Sequence, residues 1–335
     1  MGTAWTQIKS SSAIPDMTPA VAAAPAEPPP QPLPTRETFV ARAARFSLDH
    51  LIVPAQTREQ LEILLDKLRY QKVLFEDWNL QKIAPGGRRM AINLYGPPGT
   101  GKTFCAEAIA NHLNRPILDV NYAELESKFV GETAKNIVAA FQAAREDNAV
   151  LFFDEADTIL SKRLTDIRQS ADYGVNQARS VMLKELEGFD GVVVFATNLA
   201  RNYDGAFVRR ILGHIHFPLP DLASRKRLWQ LYLIPELPCA PDVDPDQLAE
   251  LAEGLSGGEM QNALIAAATA AVRRTGDRQH LTLADFATQI DHVKRAKRDI
   301  GNYDYGEPPD IQTTRRTVEL SELPEDVRQR ALADS

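Results

Sequence analysis

A chain of 335 residues with 44% hydrophobic and 25% charged residues is long enough for two folded units, each with its own core. Its net charge of −7 supplies no basic field for nucleic acid, so a nucleic-acid partner is not expected. Two cysteines are too few for a disulfide framework or a zinc site. No apolar run reaches the roughly 18 residues of a membrane span, and the N-terminus lacks the apolar stretch of a signal peptide, so the expected location is the cytoplasm.

Residues 1–36 are rich in Pro and Ala and are expected to be a disordered segment, most simply a tether. From 37 onward the pattern turns regular. The run Phe46–Val53 stops at Pro54, and Leu61, Leu64, Leu65 and Leu68 then recur at helical spacing over 57–70. Phe75, Trp78 and Leu80 are expected to continue that apolar face. Met90–Tyr95 reads as a buried strand and Phe104–Leu113 as an Ala-rich helix. Strands at 116–120, 150–153, 192–196 and 214–217 follow, interleaved with helices at 133–145 and 175–187. Such alternation predicts an α/β domain over 37–220, a parallel sheet with helices on both faces and ligands at the carboxyl ends of its strands. His214 and His216 share one strand face, expected to be solvated or at an interface. From 221 the periodicity is helical throughout, at 221–233, 245–253, 257–273 and 282–297, which predicts a small all-α domain over 221–300. The tail, 301–335, is expected to be irregular.

Three stretches carry chemistry. Gly96-Pro97-Pro98-Gly99-Thr100-Gly101-Lys102-Thr103 matches the phosphate-binding loop G-x-x-x-x-G-K-[ST], with a strand before it and a helix after it. Glycines let backbone N–H groups and a helix N-terminus close on phosphate oxygens. Lys102 would reach the β- and γ-phosphates and Thr103 would take a place on Mg²⁺. About 50 residues on, the strand Leu151-Phe152-Phe153 delivers Asp154 and Glu155 at its carboxyl end. Asp154 suits Mg²⁺, and Glu155 suits polarisation of the water that attacks the γ-phosphate. Val194-Phe195-Ala196 ends in Thr197-Asn198, where Asn198 can hold that water or the γ-phosphate.

Taken together, GPPGTGKT (96–103), SKFVGETAKNI (127–137), LFFDEAD (151–157), GFDGVVVFATN (188–198) and GLSGGEMQNAL (254–264) resemble the AAA branch of the AAA+ ATPases, over about residues 46–297. The stretch FSLDHLIVPAQTREQLEILL (46–65) is similar to that of bacterial members with a single AAA domain. The resemblance implies a P-loop NTPase sheet followed by a helical lid, with ATP and Mg²⁺ as ligands. It places adenine against the backbone of Leu51 and Ile52, and Gly257-Gly258 of the lid near the ribose. It also implies a homo-oligomeric ring, a hexamer, in which Arg209 or Arg210 completes a neighbour's site. Here the two arginines are adjacent, whereas the commoner pattern separates them by Pro-Gly. Lys128-Phe129-Val130 matches the first pore loop, whose aromatic grips polypeptide in members that thread it. Such a protein is expected to remodel a protein substrate or partner complex. The alternative is a nucleotide-gated assembly or scaffolding switch that docks without threading.

Overall fold

The computed structural model describes residues 39–301 except 85–86, 88, 122–124, 126–131, 162–169, 199–202 and 277–278. Lys128, Phe129 and Val130 therefore lie outside the described residues, as do the Pro-rich N-terminal segment and the C-terminal tail.

Five parallel strands make the central sheet: β1 (Met90–Tyr95), β2 (Ile117–Asn121), β3 (Val150–Asp154), β4 (Val192–Thr197) and β5 (Gly213–His216), in the order β2-β3-β4-β1-β5. Their near-continuous apolar runs follow from burial on both faces. Ile92, Leu94, Phe152 and Val194 point to one side, where they meet α1 (Ala55–Arg69) and α2 (Lys102–His112) through Leu61, Leu65, Cys105 and Ile109. Ala91, Leu151, Phe153, Val193 and Phe195 point to the other, against Ile137 and Phe141 of α3 (Glu132–Glu146) and Met182 and Leu186 of α5 (Ser170–Gly188). Two short helices that the sequence pattern did not announce, α4 (Asp157–Leu160) and α6 (Gly205–Val208), sit beside the carboxyl edge of the sheet. At one turn each they are too short to show a period.

Local chemistry explains where the elements start. Asp204 and Asp221 cap α6 and α7 (Leu222–Tyr232), accepting from Ala206 N and Ser224 N at 2.8 Å each. Asp244 caps α8 (Pro245–Leu251), which has Pro245 in its first turn. Ser256 and Glu259 form a reciprocal capping box on α9 (Gly257–Val272). With α10 (Leu283–Gly301) these helices bury Trp229, Met260, Phe286 and Ile290 in a core of their own.

One expectation is corrected, and a second holds for one of its two residues. Phe75 is buried, but Trp78 is 69% exposed: the helix gives way at 73–77 to a wider turn, followed by Asn79 at φ +59°, and the helical register that would align the two rings is lost. His214 does not face solvent. It is half-buried beside the fully buried Asn93, whose Nδ2 lies 3.3 Å from the His214 Nδ1, and burial pushes the imidazole pKa down. His216 is exposed and stacks on Tyr95 with ring centroids 5.0 Å apart.

Candidate active site

The cleft lies at the carboxyl ends of β1, β3 and β4, closed on one side by the start of α9. It has a volume of about 630 Å³. Its floor is the loop between β1 and α2, where three glycines take left-handed or extended positive φ: Gly96 +146°, Gly99 +72° and Gly101 +97°. At Gly96 a Cβ would fall 2.1 Å from the Phe217 carbonyl oxygen, so only glycine lets the loop leave β1 beneath the chain that follows β5. α2 has no side-chain cap at its N-terminus. Its first N–H groups are thus available to an anion, and the helix dipole favours negative charge there.

Lys102 is 7% exposed, and its ammonium donates to the Gly96 and Pro97 carbonyls at 2.7 and 2.8 Å. Burial lowers its pKa, while the charges of Asp154 and Asp157 act the other way. A buried cation resting on loop carbonyls fits a site built for phosphate, which would supply the missing countercharge. Thr103 Oγ1 donates to Asp154 Oδ2 at 3.0 Å, so the loop and β3 meet at one hydroxyl–carboxylate contact. Among the described residues no group of three or more His, Cys, Asp and Glu side chains is set to hold a metal ion. A Mg²⁺ that shares phosphate oxygens needs only one or two protein groups, and the Thr103–Asp154 pair meets that demand.

Glu155 and Asn198 open into the same cleft. Glu155 has φ +52°, a left-handed conformation uncommon for a non-glycine residue, and its N–H donates to Asp154 Oδ1 at 2.9 Å. Asp157 is a site residue whose role the sequence reading missed. Its Oδ1 accepts from Thr197 Oγ1 and, at 3.0 Å, from the Asn198 backbone N–H, which ties the end of β4 to α4. The signal was the third acid of Asp154-Glu155-Ala156-Asp157, but an acid at the first position of a helix is too common to single out.

Leu51, Ile52, Gly257 and Gly258 line the same cleft. Arg58 fixes the preceding turn by donating to the carbonyls of Leu48, at 3.1 Å, and Leu51. Gly258 N donates to Gly99 O at 3.1 Å, so α9 rests directly on the loop; a Cβ at 257 would stand in ordinary contact with the Tyr232 hydroxyl and Gly99 O. Pro97, Pro98 and Thr100 complete the loop, with Thr100 Oγ1 donating to Pro97 O at 2.9 Å. Arg209 and Arg210 lie just beyond α6, outside the cleft. Arg210 pairs with Glu187 and donates to the Ala206 carbonyl at 3.0 Å, whereas Arg209 is exposed and has no side-chain partner among the described residues.

The comparisons with known proteins agree with this geometry. The model of the ATPase family associated with various cellular activities (AAA) matches residues 92–219, and that of the AAA+ lid domain matches residues 242–288. Together they cover more than half of the chain, in the order the folded elements follow. The chain belongs to the AAA family. The proteasome-activating nucleotidase of Methanopyrus kandleri is 35% identical over 251 residues, covering 73% of this chain and 55% of that protein. That of Aeropyrum pernix is 38% identical over 212 residues, covering 61% of this chain and 51% of its own. The ATP-dependent zinc metalloprotease FtsH 3 of Sphaerobacter thermophilus is 37% identical over 216 residues, covering 62% of this chain and 43% of its own. This AAA chain thus spans about half the length of the curated relatives it matches. The FIGL-1 AAA domain, solved in complex with ADP, superposes with a TM-score of 0.61 at 24% identity, covering 79% of this chain and 92% of its own, a likeness of fold. Among the described residues no helix is long and apolar enough to cross a membrane.

Proposed function

We propose that this AAA chain binds and hydrolyses ATP and works as a ring-forming remodeller of protein substrates or complexes. The observation that carries the reading is the convergence of Lys102, Thr103, Asp154, Glu155 and Asn198 on one cleft beneath the lid helix. Backbone N–H groups of 99–103 and the Lys102 ammonium hold the phosphates, and Lys102 leaves its two carbonyls to do so. Thr103 and Asp154 would hold Mg²⁺, which when bound supplies positive charge to the phosphates. Glu155 takes the proton of the attacking water, and Asn198 holds that water or a γ-phosphate oxygen in line.

The ring reading rests on the arginines. Phosphoryl transfer of this kind gains from an arginine on the γ-phosphate, and none lines the cleft among the described residues. Arg209, exposed and without a side-chain partner among the described residues, is the arginine offered to a neighbouring copy; a closed ring, six copies by family resemblance, satisfies every site. Relatives named for activating a proteasome, and one named as an ATP-dependent protease, support a polypeptide as the substrate. Phe129, flanked by Lys128 and Val130, is the residue assigned to grip it.

The experiment is ATP hydrolysis by the purified chain beside Lys102→Ala, Glu155→Gln and Phe129→Ala. Lys102→Ala should lose nucleotide binding, and Glu155→Gln should bind ATP without turnover. Phe129→Ala should hydrolyse ATP at the basal rate yet fail to process any client that Glu155→Gln traps. Wild-type turnover by Glu155→Gln would overturn the hydrolytic reading. Unchanged client processing by Phe129→Ala would turn the protein into an assembly switch.

A further inference from the structure

The cleft has two unlike halves. One holds Lys102, Thr103, Asp154, Glu155 and Asn198; the other is apolar, with walls that include Phe46, Leu51, Pro218, Leu228 and Leu231. Besides that polar set and Thr100 of the loop, the polar side chains lining the cleft among the described residues are His50, Tyr232 and Gln261. The Tyr232 hydroxyl donates to the Gly257 carbonyl at 3.2 Å. Gln261 has no hydrogen-bond partner among the described residues. It stands three and four residues after Gly258 and Gly257 on α9, so it shares the face that rests on the phosphate loop and lies one turn deeper along the cleft.

We propose that Gln261 reads the nucleotide base and selects adenine over guanine. The inference rests on the reading of the cleft as a nucleotide site. A carboxamide presents an acceptor and a donor side by side, and adenine answers with its N6 amino donor and N7 acceptor. Guanine offers two acceptors, O6 and N7, on the same edge, so one of the two contacts becomes repulsive. His50 cannot substitute, because the two nitrogens of an imidazole diverge and cannot pair with one base edge.

The test is calorimetric titration of the full chain with ADP, GDP and 7-deaza-ADP, which lacks the N7 acceptor; diphosphates avoid turnover. The wild type should bind ADP about tenfold or more tighter than either analogue, within the roughly 5- to 150-fold range of one bidentate base contact. Gln261→Ala should bind ADP and 7-deaza-ADP with the same affinity, below that of the wild type for ADP. Gln261→Glu, which keeps an acceptor for N6 but has no donor for N7, should likewise become blind to the N7 deletion. Because Gln261 is exposed, both variants should melt with the wild type. An unchanged preference for ADP over 7-deaza-ADP in Gln261→Ala overturns the assignment while the nucleotide site stands. Failure of the wild type to bind any of the three overturns the nucleotide reading itself.

Discussion

Adjacent arginines between β4 and β5 pose a question that the structure turns into numbers. Arg210 is committed within its own chain, to Glu187 and to the Ala206 carbonyl, whereas Arg209 is exposed and unpaired among the described residues. If Arg209 is the residue given to a neighbour's γ-phosphate, Arg209→Ala should lower kcat by about 10³–10⁵, the range of an arginine finger, or about 4–7 kcal/mol of barrier. Nucleotide affinity should hardly change, because the contact forms only as charge develops on the γ-phosphate. Arg210→Ala breaks a half-exposed ion pair worth about 0–1 kcal/mol, so it should lower the melting temperature by a few degrees and leave kcat within about tenfold. The assay is steady-state hydrolysis at concentrations where scattering shows assembled protein. A mixture adds the decisive arm: Arg209→Ala has intact loops and Lys102→Ala has intact arginines, so equimolar mixing should restore turnover that neither shows alone. An Arg209→Ala protein within tenfold of wild type, or a mixture that stays inactive, would refute the reasoning.

Other perturbations follow from the same contacts. Asp157→Ala removes the acceptor that fixes Thr197 and the Asn198 N–H, so kcat should fall by about 100-fold with KM near wild type; an unaltered kcat counts against a positioning role. Gly96→Ala places a Cβ against the Phe217 carbonyl, and should abolish nucleotide binding in a titration of protein that circular dichroism shows to be folded. Glu107 on α2 is buried, which alone would raise its pKa, yet hydrogen bonds from Arg42 and Arg45 pull it down to about 2. Its folded pKa lies below the unfolded value of roughly 4.3, so its contribution is complete above that value and is lost as pH falls toward 2. Urea melts at pH 7, 4 and 3 should show Glu107→Gln losing the wild type's steepening over that window; parallel slopes would assign the acid sensitivity elsewhere.

Much of this was legible in the residues because it depends on spacing. Apolar runs buried on both faces announce parallel strands, and each strand falls within two residues of its expected place. The phosphate loop was legible because its glycines, lysine and threonine answer one ligand at fixed offsets. What escaped depends on contacts across long separations. The Asn93–His214 pair spans 121 residues and forms only when β1 and β5 align, so alternation along one strand could not reveal it. Trp78 escaped for a local reason, the break of helical register at 73–79. That Arg210 is paired within its own chain depends on Glu187, on a different helix.

Asp154 and Glu155 make the last case, because adjacency in sequence argues against what they must do. Successive residues of a strand point to opposite faces, so two neighbouring acids should not serve one cleft. β3 ends at Asp154, and Glu155 turns at φ +52°, which brings both residues to the cleft. Glutamate gains nothing locally from a left-handed backbone, and such strain costs on the order of 1–3 kcal/mol where the surroundings enforce it. Here Ala156 N donates to the Ala196 carbonyl of β4 at 3.0 Å, pinning the turn from its far side. Glycine usually destabilises by roughly 0.5–1 kcal/mol through lost chain entropy, but at this residue it would also release strain. Glu155→Gly should therefore melt no lower than Glu155→Gln, although both lack the carboxylate and neither turns over ATP. A Glu155→Gly protein that melts several degrees below Glu155→Gln would mean that the left-handed turn carries no strain, and that the paired aim of the two acids arises elsewhere.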